Sequence, residues 1–188
     1  MNLNRMESEA KIHTDNKGYS LVELLIVLAI IAAVTITVIF SISMIFSANA
    51  KTCAHAMERA IADCKVTTMG KADAYLEIYR DTDGNVYSKM YVYENGAAAP
   101  TPMEAEKLGG SKVFVGYLPE GAAVDATPTE LVAGGTAVRV HFDRASGSFD
   151  ATDYANCATF DIQGGSKHYQ LKMVRLTGKV SVEVIATP

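Results

Sequence analysis

One acid stands at the lip of an apolar run. Glu23 closes the stretch Lys17-Gly18-Tyr19-Ser20-Leu21-Val22-Glu23, and from Leu24 to Ala50 no residue carries a charge. An ionised acid set in hydrocarbon costs on the order of 2.5–3.5 kcal/mol on insertion scales, so it needs headgroup solvation, a partner or a task. The chemistry it suits is charge pairing. A carboxylate and an ammonium, each poorly solvated at a membrane, gain most from finding each other.

Other candidates for chemistry are sparse. The histidines His13, His55, His141 and His168 are scattered, and no Gly-x-Ser-x-Gly, P-loop, HExxH or paired-carboxylate spacing occurs. The expectation is therefore a non-enzyme with no metal and no cofactor. Asp81-x-Asp83-Gly84-Asn85 imitates the start of a calcium loop, but the twelfth position from Asp81 is Val92, where such a loop needs Glu. Turn chemistry explains these residues, with calcium as the alternative. Cys53 and Cys64, if on one helix, lie about 16 Å apart along its axis, so only a bond from Cys157 to one of them is feasible. Otherwise all three thiols are small buried apolar groups. Lys167, His168, Lys172, Arg175 and Lys179 form the basic cluster, with no acid between Asp161 and Glu183. A solvated sheet face accounts for it; a phosphate- or DNA-binding patch is the alternative.

The elements that must position Glu23 follow from periodicity. At about 1.5 Å per residue the uncharged run reaches roughly 40 Å, enough for a bilayer core of about 30 Å. Thr35, Thr37, Ser41 and Ser43 can bond back to their own helix carbonyls. Phe46, Ala50, Cys53, Met57, Ala60, Ile61 and Cys64 then recur at three- and four-residue spacing, which makes the continuation amphipathic. Thr67, Thr68 and Gly70 end it. His55 falls on the solvated side. Past Gly70 the period becomes two. Tyr75–Tyr79 and Val86–Tyr93 flank an Arg80–Asn85 turn, and Val113–Leu118, Ala137–Phe142, Cys157–Ile162, Tyr169–Leu176 and Val180–Ile185 read as further strands. Residues 96–110 read as a loop with room for one helical turn, and residues 119–135 as an exposed excursion. The fold class is α+β: a long N-terminal helix packed on an antiparallel sheet of about five to seven strands. Its segments are a leader (1–18), a membrane helix (19–46), an amphipathic continuation (47–69) and a β-rich head (70–188).

The formal net charge of -4 survives loss of the leader, whose Arg5, Lys11 and Lys17 balance Glu7, Glu9 and Asp15. No global basicity invites nucleic acid. The leader's basic residues favour a cytoplasmic N-terminus. A secretory signal cut after Ser47-Ala48-Asn49-Ala50 is the competing reading, as is an uncleaved anchor. Such signals, however, carry shorter apolar regions of about 7–15 residues and no acid at their start.

Lys17-Gly18-Tyr19-Ser20-Leu21-Val22-Glu23, followed by Leu24-Leu25-Ile26-Val27-Leu28-Ala29-Ile30-Ile31-Ala32, resembles the type IV pilin and pseudopilin family. The resemblance covers about the first fifty residues. It implies cleavage after Gly18 by a prepilin peptidase, N-methylation of the new terminal residue Tyr19, and pairing of Glu23 with the terminal amine of a neighbouring subunit. It also implies other pilin subunits, an inner-membrane assembly platform with its ATPase, and membrane lipid as partners. The implied location is the bacterial cell membrane, single-pass with an extracytoplasmic head, and afterwards a filament or pseudopilus. Tyr19 stands where Phe is commoner, and the helix lacks the Gly and Pro that many of these proteins carry in its first half. The ending, with Thr177-Gly178-Lys179-Val180, also resembles minor pseudopilins of the type II secretion class. A subunit of a DNA-uptake system and a membrane-tethered binding module are the remaining alternatives.

Overall fold

The computed structural model describes residues 19–70, 72–94, 97–123 and 126–185, and the chain forms two compact units that divide at Val38/Ile39. The leader and Gly18 lie outside the described residues.

Among the described residues of the first unit, those from Leu21 to Val38 are helix. α1 (Leu21–Gly70) begins here, and every side chain from Tyr19 to Val38 is exposed. The hydroxyls in this stretch turn inward on their own helix, Thr35 donating to the Ile31 carbonyl and Thr37 to that of Val34, both at 2.7 Å. Both threonine hydroxyls are thereby satisfied within the helix.

The second unit holds the core, one cluster built on the amphipathic part of α1. Ala50, Cys53, Ala54, Met57, Ile61 and Cys64 are fully buried, at the spacing the sequence sets. The β1–β2 hairpin (Ala74–Arg80, Val86–Val92) turns through Gly84 at φ 80°, where a side chain would strain. Around it lie β3 (Thr101–Pro102), β4 (Glu106–Gly109) and β7 (Val138–His141), giving the order β3-β2-β1-β7 with β4 also on β2. The second sheet runs β10-β9-β8-β5-β6, from β5 (Phe114–Leu118), β6 (Thr129–Glu130), β8 (Thr159–Gly164), β9 (Lys167–Val174) and β10 (Lys179–Ile185). Leu76, Ile78, Val86 and Val140 face the core from the first sheet, and Val115, Phe160, Ile162 and Leu171 from the second.

The expected α+β class stands, yet the single sheet becomes two sheets of five strands each. Residues 106–109, read as loop or helical turn, form β4, because β2 offers them an edge and Leu108 fills the core. The excursion at 119–135 is not wholly exposed either. Leu131 is 1% exposed, and β6 pairs with β5. A helix unforeseen in the sequence, α2 (Ala151–Asn156), is capped by Asp150, whose carboxylate accepts from the N–H groups of Thr152 and Asp153. Arg80, assigned to a turn, is the last residue of β1 and is buried.

Candidate functional site

The start of α1 is built from Ser20. Its carbonyl accepts from Leu24 N–H at 3.1 Å and its hydroxyl from Val22 N–H at 3.3 Å, so Ser20 is the N-cap. Glu23 then falls at the third helical position. Ser20-x-x-Glu23 is the spacing of a capping box, a signal in the sequence that the motif reading passed over. At that position the carboxylate also faces the positive end of the helix dipole. Glu23 makes no hydrogen bond or ion pair among the described residues, and it is exposed. Tyr19 is 80% exposed beside it. The site is therefore an accessible acid and an accessible aromatic at the head of a helix whose most apolar window buries none of its surface.

The remaining candidates are occupied locally. Asp81 accepts from Thr82 N–H, and Asp83 accepts from Asn85 N–H at 2.8 Å, from the Asn85 side-chain amide and from the Tyr87 hydroxyl. These bonds hold the Asp83 carboxyl below the usual carboxylate range. They are turn bonds, and among the described residues no group of three His, Cys, Asp or Glu could hold a metal ion.

Cys53, Cys64 and Cys157 are free and buried. The alternative of a Cys157 disulfide gives way to three small core groups. Burial pushes the Cys53 and Cys64 thiols up to about 12, and Cys157 higher still.

The basic cluster is dispersed by the sheet. Lys172 on β9 meets Glu183 on β10 at 2.7 Å, His168 bonds Asp161 on β8, and Arg175 lies 3.9 Å from Glu120. Lys172 and His168 thus find acids on the neighbouring strands, and Arg175 finds one in the turn after β5. Histidines elsewhere are also paired, His55 with Glu58 at 3.2 Å and His141 with Asp73 at 2.9 Å.

A residue that sequence reasoning missed is Arg80. At 7% exposure its guanidinium donates to the carbonyls of Leu131 (2.8 Å), Gly84 (2.6 Å) and Val113 (2.8 Å). It ties three loops together. The signal for it was available, since Arg80 continues the in-facing parity of Leu76 and Ile78.

The model of the prokaryotic N-terminal methylation motif matches residues 14–39, which span the Gly18–Glu23 stretch and the first turns of α1. No curated protein and no solved structure matches the chain. The motif, with the acid-headed apolar helix and the antiparallel sheets that follow, supports a type IV pilin- or pseudopilin-like protein.

Proposed function

We propose that the chain is a structural subunit, not an enzyme, that is made as a membrane-anchored precursor and assembled into a type IV pilus-like filament. Prepilin peptidase cleaves after Gly18 and methylates the amine of Tyr19. Other subunits then join it at an inner-membrane platform driven by an ATPase, and the head lies outside the cytoplasm. The observation that carries this reading is the exposed apolar surface of Leu21–Val38 headed by Glu23. Alone in water such a surface is untenable. In lipid, or against the same helix of other copies, it is satisfied. Glu23 then docks on the terminal amine of a neighbour, a pairing that strengthens as both groups leave water.

Intact-mass analysis of purified filaments tests this. Chains beginning at methylated Tyr19 are expected, and Glu23→Val is expected to stop assembly while leaving the precursor in the membrane. Filaments built from chains that retain Met1–Lys17 would sink the proposal, because no terminal amine would then face Glu23. The variant in which the subunit serves DNA uptake gains no support from Lys172, which already has its acid.

A further inference from the structure

The β8–β9 turn lies against α1 at backbone contact. A Cβ on Gly164 would sit 2.5 Å from the Phe46 carbonyl oxygen and 2.8 Å from the Ala50 Cβ, and one on Gly165 would sit 2.6 Å from the Ser47 hydroxyl and collide with the Ser43 carbonyl. Ser166 N–H donates to the Ser47 hydroxyl at 3.3 Å, and that hydroxyl donates to the Ser43 carbonyl at 2.9 Å. The turn is thus seated on the segment from Ser43 to Ala50.

That segment has a membrane address. About 20 helical residues cross a hydrocarbon core of about 30 Å, and the polar layer adds roughly 5–7 Å on each side. Counted from Leu24, hydrocarbon ends near Ser43 and the headgroup layer takes up the next turn. Ser43, Ser47 and Lys51 fall on one helix stripe, and Lys51 is the first charge after the run. Lys167, at the start of β9, is exposed. The turn itself carries no acid, and the nearest one on its strands, Asp161, is bonded by His168.

We propose that the Gly164–Lys167 turn is the contact of the head with the membrane surface, Lys167 lying against anionic lipid headgroup phosphates. Basic side chains just outside a membrane are attracted there by the surface potential of anionic lipid. The two glycines let the turn come down onto the helix so that its lysine reaches that layer. The proposal rests on the membrane-anchored reading above.

The test uses the full chain in nanodiscs of phosphatidylcholine, with and without phosphatidylglycerol. A nitroxide is placed in turn on Ser166→Cys, on Leu28→Cys within the run, and on Ala145→Cys in the loop whose Gly147 lies near Met69 at the far end of α1. The native thiols are buried and stay unlabelled. Nickel chelated to lipid headgroups is expected to relax the label at 166 several-fold more than that at 145, and phosphatidylglycerol to increase the difference. Lys167→Glu should abolish that increase and Lys167→Arg should keep it. Equal relaxation at 166 and 145, with the label at 28 in the acyl region, overturns this proposal and leaves the anchor standing. A label at 28 outside the acyl region overturns the anchor and this proposal with it. Contact at 166 that is indifferent to phosphatidylglycerol and to Lys167→Glu overturns the assignment to phosphate.

Discussion

Residues 21–38 and residues 50–64 are both rich in aliphatic side chains and both belong to α1, yet their surroundings are opposite. In the first stretch every side chain is exposed; in the second Ala50, Cys53, Met57, Ile61 and Cys64 are sealed under two sheets. The difference lies in what the remaining positions carry. Lys51, His55, Glu58, Arg59 and Asp63 give the second stretch a wet side, so it can rest one face on a domain and keep the other in water. The first has no wet side and requires an apolar solvent all round. An even distribution of aliphatic residues specifies an environment; a one-sided distribution specifies a packing partner.

The contrast can be broken most strongly by emptying the core on one side of it. Phe160 is fully buried, and Phe160→Ala is expected to cost the head about 3–5 kcal/mol, read from chemical denaturation of the full chain in detergent. Leu28→Ala in the exposed run should leave the same transition unmoved. Equal losses would mean that the two stretches share one core.

Arg80→Leu ranks next. It removes two buried hydrogen bonds and one part-buried one, taking the guanidinium donor from the carbonyls of Leu131, Val113 and Gly84, at an expected cost of about 2–3 kcal/mol. Faster hydrogen exchange or proteolysis at residues 81–85 and 128–135 should accompany the loss.

A maleimide time course sharpens the comparison further. The thiols of Cys53 and Cys64 are pushed up to about 12 by burial, so neither forms thiolate at neutral pH. All three cysteines should label only as fast as the head unfolds, whereas a cysteine placed at Leu28 is shielded by lipid alone and should react once the chain is moved into a short-chain detergent.

Acid gives the smallest effect. Hydrogen bonds from Asn85 and Ser146 hold the Asp83 and Asp143 carboxyls below their ordinary value of about 3.9. The stability they contribute is complete above the unfolded value and is lost as pH falls through the folded one. The head should therefore melt at slightly lower temperature as pH falls below about 4, and Asp83→Asn should flatten part of that slope.

Much of this was legible beforehand. The hairpins at 81–85 and 177–178 could be read because Gly84 and Gly178 supply positive φ between alternating strands. The amphipathic stripe was legible because its period is set by the helix alone. β4 was not, since Glu106-Lys107 favours no strand by itself and pairs only because β2 presents an edge. Nor was α2, six residues whose N-cap, Asp150, looks like any loop aspartate until its neighbours' N–H groups converge on it. The Ser20-x-x-Glu23 spacing of a helix cap is legible in the sequence itself, because it joins residues three apart.

By itself the sequence determined the acid-headed apolar helix and the switch from helical to strand period, because each depends on residues close together in the chain. The tertiary structure alone decided that the strands split into two sheets, that Arg80 ties three loops, and that Lys172 and His168 face acids on the neighbouring strands. Those outcomes join residues tens of positions apart, and such pairings are chosen by competition among edges, cavities and charges that exists only once the chain has closed on itself.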